Sequence, residues 1–572
     1  MHGEYKFKKN TLVCYEMYAG IFGDVEVNFS GSFFSGNKEE IVKAIAIQYE
    51  NIETFNGLSG QFAIVVFDKQ KKRFLLVRDH LGVIPLYYKI EKESIFFGTS
   101  IHSLLMLCDS PPELNEDVLH EYFAYRYVSG DDTVFKNIYE IKPGSILKFD
   151  ALGKMTSQDF YQFEYLEEKK ENDNSSEKLF QDGFWNSLRE QTYDKDKKKF
   201  GVLSSGGIDS SILVSCSEKI LDSRFNTYYI GNENYSRNRT EEVNLLSKMF
   251  NSNHKDIFIS GEIFADYLIE TIRINEEPLD IASSVLRHYF YEQIKNEVDI
   301  LLSGEGADCF YCGYYVFDLI NNFFVKNPVR PLTKILMKLF PTGILPIRYR
   351  SKATKIKNAF ILPPDEFAIF NDLLSTNTRE DIELMLGVKA PPEYAKNYTS
   401  LFTDYSKKNI LNMILYVYQT HYIIGPLKTL TKLGNAHGLE HRHPFSDANL
   451  VSQFNHFPWN EKIKFFKRKH QVVELAKEYL PKEFFKKRKE GFGVPLNKWF
   501  HNEKGLGRFV ELISDKRTRD RGIFNTDYLD RLLAQFYKKT LPDDSYECIL
   551  WPIINLELWH RIFIDRDVAG YS

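Results

Sequence analysis

The amino-acid sequence predicts an α/β protein of two unequal domains, and three observations carry that reading. Residues 12–29 and 61–99 hold short β-type runs, such as Phe62-Ala63-Ile64-Val65-Val66-Phe67 and Arg73-Phe74-Leu75-Leu76-Val77, punctuated by Gly and Asp. Residues 164–178 are polar, charged and nearly free of β-branched side chains, the composition of a linker. Beyond them, apolar strand-like and helical segments alternate. The expected division is therefore 1–163, a linker at 164–178, and 179–572.

In the first domain a helix is expected over 38–48, with Ile41, Ala44, Ile45 and Ile47 on its apolar side. After the linker, residues 200–203 form a strand that runs into Gly206-Gly207, and 208–216 continue at helical spacing. A strand at 227–230, a helix at 240–250 and strands at 256–259 and 298–302 follow, an alternation that implies a parallel sheet covered by helices on both faces. From Phe317 onward the text is mostly helical, with Pro328, Pro331, Pro341 and Pro346 marking a loop region.

Composition excludes several function classes. A chain of 572 residues is too long for one core, and 43% hydrophobic with 27% charged residues is the balance of a packed globular protein. The formal net charge of −4 offers no global footprint for nucleic acid or an anionic membrane. Six scattered cysteines (Cys14, Cys108, Cys216, Cys309, Cys312, Cys548) cannot build a dense disulfide framework, so a reducing compartment is expected. Glu16 interrupts the apolar stretch after Lys6, Lys8 and Lys9, and no run reaches the ~18 apolar residues of a membrane span, so the expectation is a soluble cytoplasmic protein. Cys309 and Cys312 form a Cys-x-x-Cys without a second pair, which points away from zinc. Lys482, Lys486, Lys487, Arg488 and Lys489, interleaved with Phe484 and Phe485, read as a solvated helix end rather than an RNA site.

The sharpest local feature is Gly201-Val202-Leu203-Ser204-Ser205-Gly206-Gly207-Ile208-Asp209-Ser210-Ser211. A strand ends in Ser-Gly-Gly, where backbone can approach a ligand closely, and a helix begins at once, so free N–H groups and the positive helix end point to one place. That is an anion site. It lacks the lysine of a Walker loop and the spacing of a Rossmann loop. An aspartate inside an anion cradle is repelled unless a cation lies between them, so Asp209 implies Mg²⁺.

These residues also carry a family resemblance. Ser205-Gly206-Gly207-Ile208-Asp209-Ser210-Ser211 resembles the pyrophosphate loop of ATP pyrophosphatases, and Leu302-Ser303-Gly304-Glu305-Gly306-Ala307-Asp308 resembles a block of the asparagine synthetase B family. In the first domain, Leu58-Ser59-Gly60-Gln61-Phe62-Ala63 and Arg78-Asp79-His80-Leu81-Gly82 resemble that family's glutaminase domain. Residues 438–447, Lys469 and Lys489-Glu490-Gly491-Phe492-Gly493-Val494-Pro495 follow in the family's order. The resemblance implies an N-terminal Ntn-type αββα sandwich and a C-terminal parallel-sheet, adenine nucleotide α-hydrolase-like (PP-loop) domain with a helical extension. It implies ATP and Mg²⁺ as cofactors. Backbone groups of Leu203 and Ile230 would meet adenine; Ser205, Gly206, Gly207 and Ser210 would cradle pyrophosphate; Ser303 and Gly304 would face ribose and α-phosphate; Asp209 and Asp308 would hold the metal. Lys469, Glu305 and Glu440 stand as the catalytic residues it implies: Lys469 against phosphate and oxyanion charge, Glu305 on the attacking amine.

The departures are as informative. Glutamine-hydrolysing members begin Met-Cys-Gly, whereas this chain reads Met1-His2-Gly3, and Ser30 in Phe29-Ser30-Gly31-Ser32-Phe33 stands where the family has Asn. Asp308-Cys309-Phe310-Tyr311-Cys312-Gly313 and Thr431-Lys432-Leu433-Gly434-Asn435-Ala436 also differ from the family pattern. The expectation is an inert glutaminase-like domain and an AMP-forming ligase that captures an adenylated small-molecule or peptide carboxylate with an amine that glutamine does not supply, as in β-lactam, carbapenam and lasso-peptide macrolactam synthetases. Its partners would be that carboxylate, an amine on the substrate or free ammonia, and a second copy or a biosynthetic enzyme, with neither membrane nor nucleic acid. The alternatives are ammonia-dependent amidation of aspartate or a similar acid, and a tRNA-modifying PP-loop enzyme.

Overall fold

The structure, a computed structural model, describes residues 1–6, 11–15, 18–165, 175–221, 225–233, 237–321, 335–336, 338–341, 357, 375–390, 410–464, 468–485 and 493–567. Lys8, Lys9, Glu16, Pro328, Pro331, Pro346 and the stretch 486–492 lie outside them.

The first domain stacks two antiparallel sheets. One runs β2 (Thr11–Tyr15), β1 (His2–Lys6), β8 (Ser94–Gly98), β7 (Tyr87–Glu91), β9 (Tyr139–Glu140). The other runs β11 (Met155–Asp159), β10 (Ser145–Phe149), β6 (Arg73–Arg78), β5 (Gly60–Asp68), β4 (Val25–Phe33), β3 (Tyr18–Phe22). Alternation at period two splits β5: Val65 and Phe67 face the inter-sheet core with Tyr5, Phe74 and Phe97, while Ile64 and Val66 face α1 (Lys38–Gln48). Both faces are covered, which is why the run 62–67 is apolar without interruption. Asn37 caps α1 by accepting from Glu39 N at 2.8 Å. The buried stripe of α1 is Val42, Ile45 and Ala46 rather than the expected set, and Ile47 is 68% exposed. Helix α2 (Ile101–Leu105) packs on the outer side of β7 and β8, completing the αββα layering.

The second domain opens with α3 (Ser176–Gln191), whose N-cap is Ser175, so residues 176–178 of the expected linker are its first turn. Its parallel sheet has the order β14-β13-β12-β15-β16, formed by β12 (Phe200–Leu203), β13 (Asn226–Asn232), β14 (Asn253–Ile259), β15 (Ile300–Leu302) and β16 (Glu440–Arg442). The intervening helices are α4 (Ile208–Ile220), α5 (Arg237–Met249), α6 (Gly261–Asn275), α7 (Ser283–Ile294), α8 (Ala307–Phe310) and α9 (Ile424–Ala436); α10 (His470–Tyr479) packs against α3 and α4. Val202 pairs with Leu302, so the loops leaving β12 and β15 lie side by side at the carboxyl edge, where open parallel sheets place their ligands.

Charge locks the domains together. Glu276, in a left-handed turn after α6, accepts from Ile101 N at 3.0 Å and His102 N at 2.9 Å, and from the Ser100 hydroxyl, so it caps α2 of the other domain. Lys432 of α9 bonds Glu276 at 2.8 Å and lies 5.0 Å from the centre of the Tyr87 ring. No helix among the described residues is long and apolar enough to cross a membrane.

Candidate active site

The loop after β12 is braced from within. Ser204 N continues the sheet ladder by donating to Tyr228 O at 2.7 Å, and Gly206 turns the chain at φ +70°. Ser210 Oγ accepts from Ser205 N at 3.0 Å and donates to Gly207 O at 3.1 Å, fixing the turn. Gly207 is the N-cap of α4 and no side chain among the described residues caps the helix, leaving first-turn N–H groups for a ligand anion. Leu203, paired with Tyr228, and Ile230 sit on adjoining strands beside this loop.

The loop after β15 presses on it. A Cβ at Gly304 would lie 3.0 Å from Asp209 Cβ and 3.2 Å from Ser210 N, so a side chain there would push the two loops apart. The Ser303 side chain turns inward: its Oγ is 3.0 Å from His443 Nδ1 and accepts from Glu305 N at 3.3 Å. Glu305 is then gripped by Arg287 of α7, at 2.8 Å.

Lys469 joins the two loops. Its Nζ is 2.7 Å from Asp209 Oδ2 and 2.7 Å from Asp308 Oδ1, with the side chain 9% exposed. Burial opposes the ammonium, but the two carboxylates outweigh it and raise its pKa above the ordinary lysine value. Lys469 enters α10 in the left-handed conformation (φ 51°, ψ 45°), sparsely populated for a residue with a side chain. Gly313 makes room for it, because a Cβ there would lie 2.3 Å from Lys469 Cε and 2.0 Å from Asp308 Oδ1.

Glu440 is not brought to this cluster. It begins β16 opposite Ile300, at the amino edge of the sheet, and accepts from Arg442 Nε at 2.7 Å. The buried Arg442 guanidinium also holds Asp194 at 2.8 Å and donates to Gln191 O at 2.6 Å. The motif that suggested catalysis thus anchors an edge strand. Cys309 and Cys312 are both buried, and burial pushes their thiols up. Sequence reasoning missed Arg287, which carries no local signal, and assigned no role to His443 although it lies inside the 438–447 block; the glycine at 313, following the aspartate block, was a visible signal.

The chain that builds this carboxyl-edge loop, the second loop locked onto it and the lysine between two aspartates is similar to known sequences along most of its length. The family model described as asparagine synthase matches residues 180–561. The chain belongs to the asparagine synthase family. A glutamine amidotransferase domain matches residues 28–161. This asparagine synthase family member is 23% identical over 565 residues to "Asparagine synthetase (glutamine-hydrolyzing) 1" of Bacillus subtilis (strain 168), covering 96% of this chain and 85% of that protein. It is 25% identical over 503 residues to "Asparagine synthetase (glutamine-hydrolyzing) 3" of the same organism, covering 83% and 74%. The asparagine synthase fold here belongs to an ATP-dependent, amide-forming ligase. The donor set also fits a divalent cation: Asp209 Oδ1 is buried with no hydrogen-bond partner among the described residues, and both aspartates already converge on one positive charge.

Proposed function

We propose that the chain adenylates a small-molecule or peptide carboxylate and captures it with an amine that does not come from glutamine, in peptide or natural-product biosynthesis. The observation that carries this reading is the absence of an activatable cysteine among the described residues of the first domain. Position 2 is His, whose ring stacks on Tyr15. Burial pushes the Cys14 thiol up to about 12 and the Cys108 thiol up to about 11, so neither offers a thiolate near neutrality.

In the proposed sequence a carboxylate oxygen attacks the α-phosphorus of ATP and pyrophosphate leaves. The amine then attacks the acyl carbon, loses a proton, and AMP departs. First-turn amides of α4 hold pyrophosphate oxygens, and backbone groups of Leu203 and Ile230 meet adenine. Asp209 and Asp308 would hold Mg²⁺, which supplies charge neutralisation at the phosphates. The Lys469 ammonium stabilises charge on phosphate and on the tetrahedral oxyanion from a water-poor position. Glu305, oriented by Arg287 at 2.8 Å, aims the amine and takes up its proton.

The test is incubation with glutamine, with and without ATP, and assay of glutamate. No release above a heat-killed control is expected, and turnover would overthrow the reading. A second reading, ammonia-dependent amidation of an aspartate-like acid, is favoured by the retained, clamped Glu305; it predicts ammonium-dependent AMP formation with aspartate as sole carboxylate.

A further inference from the structure

A cavity of about 60 Å³ lies at the domain seam, where Tyr127 and Ser129 face Asp280, Gly425 and Lys428. At roughly 15 Å³ for each water-sized occupant it has room for about four. Its charges do not cancel among the described lining residues. Arg78 and Lys428 face three carboxylates, Glu140, Glu277 and Asp280, and burial pushes His421 down to about 4, leaving it neutral at pH 7. Arg78 bonds Glu140 at 2.7 Å, and Lys428 bonds Glu140 at 2.9 Å and Glu277 at 2.6 Å.

Asp280 stands outside that chain of pairs. It is 7% exposed, its Oδ1 accepts from Ile281 N at 2.8 Å, and its Oδ2 has no hydrogen bond or ion pair among the described residues. Burial raises its pKa against the pull of Arg126, Arg287 and Lys428. Those cations are already engaged, Arg126 by Glu547 at 2.6 Å and Arg287 by Glu305 at 2.8 Å. Beside Oδ2 there is a gap in the wall: a Cβ at Gly425 would lie 3.4 Å from Asp280 Oδ2 and 4.0 Å from Tyr127 Cβ. Tyr127 lines the cavity, and its ring meets that of Tyr422 edge to face with centroids 6.2 Å apart. A buried carboxylate with a free oxygen, a glycine gap and aromatic rings together suit a compact organic cation.

We propose that this cavity binds a primary ammonium group, the protonated form of the acceptor amine, with Asp280 as its counter-ion. The inference deepens the reading that the amine does not come from glutamine, and rests on it. The cavity is tied to the reaction centre through α7: Asp280 lies three residues before that helix begins, and Arg287 of the helix holds Glu305 at 2.8 Å.

The experiment uses the full chain and ¹³C-methylammonium chloride, with saturable binding read by transverse relaxation at fixed ionic strength. Wild type should bind methylammonium in preference to tetramethylammonium, which has no N–H to donate. Asp280→Asn should weaken binding at least about tenfold, as expected for loss of a charged hydrogen-bond partner. Gly425→Val, which fills the gap and leaves every charge in place, should weaken it comparably. Both variants should keep ATP affinity by calorimetry. If Asp280→Asn does not fold, Gly425→Val decides alone. The proposal falls if wild type shows no saturable binding, if the variants bind as wild type does, or if tetramethylammonium binds as well. Glutamate release with methylammonium binding intact would instead remove the glutamine-independent reading, and with it the bound cation's role as acceptor, and leave only the cation site at Asp280.

Discussion

The Nζ of Lys469 stands 2.7 Å from Asp209 Oδ2, across 260 positions of sequence, and so ties the mouth of α10 to the phosphate loop. In the proposed mechanism one ammonium in that position faces the charge that develops during reaction. Lys469→Ala should therefore cut turnover by on the order of 10²–10³ while changing ATP affinity much less, because loop amides hold the nucleotide. Lys469→Arg should fail as well, since a planar guanidinium does not fit the space Gly313 leaves. Lys467 lies outside the described residues, so Lys464, half-exposed and paired with Glu177 at 3.2 Å, serves as control; Lys464→Ala should be nearly silent. Equal effects at the two lysines would show that the assignment is wrong.

With its true substrate the enzyme should release AMP and pyrophosphate in equal amounts. Asp209→Asn and Asp308→Asn should each lose roughly a hundredfold or more in rate, the loss expected where a metal supplies several kcal/mol. Detection of ADP and orthophosphate would refute the adenylation chemistry.

Glu440 and Lys469 should separate cleanly in experiment. Glu440→Gln should leave turnover within about threefold, because its carboxylate serves Arg442 at the far edge of the sheet. Arg442→Ala should lower stability by about 3–5 kcal/mol, the cost of stranding Asp194 in a buried pair. Chemical denaturation beside kinetics checks both, and a large kcat loss in Glu440→Gln would contradict this placement.

Acid should unfold the protein. Burial, then the Arg287 charge, pushes His443 down to about 3, and burial pushes His288 and His421 down to about 4. An unfolded histidine titrates near ~6.5, so between there and about 4 the unfolded chain binds more protons and stability falls as pH falls. Each histidine contributes up to about 2 kcal/mol between pH 7 and 5. Asp447, pushed up to about 6 by burial, acts with the opposite sign over about 4 to 6, and three histidines outweigh it. Urea midpoints by tryptophan fluorescence at pH 5, 6 and 7 should rise with pH, and His443→Asn should flatten that rise by about a third. A flat profile would count against neutral burial.

The parallel sheet was legible because each strand is a short apolar run followed by a turn and a helix, a pattern that position in the fold does not disguise. The face of α1 was not. Positions 41, 42, 44, 45, 46 and 47 are all apolar, so helical periodicity gives no preferred stripe, and docking on the sheet selects Val42 and leaves Ile47 out. That the loop after β12, Asp308 and Lys469 would lie together could be read from their blocks. Glu440 could not be placed, since its end of the strand is set by register with Ile300, and neither could Arg287, 18 positions before its partner.

The cap that Glu276 provides has a consequence for heredity. A deletion of the codons for the smaller domain would strip that carboxylate of its Ser100, Ile101 and His102 donors and uncover Tyr87's cationic neighbours Lys428 and Lys432. Glu276 would keep Lys432 but lose those donors, and the cost of an unmet buried acceptor, about 1–3 kcal/mol, is a sizeable share of the ~5–15 kcal/mol that a protein has to spare. Selection for the ligase alone thus preserves the smaller domain's fold. Mutations at position 2 escape that selection, whereas mutations at Ser100 or Tyr87 do not. On the glutamine-independent reading proposed above, the smaller domain has lost its chemistry and keeps its fold.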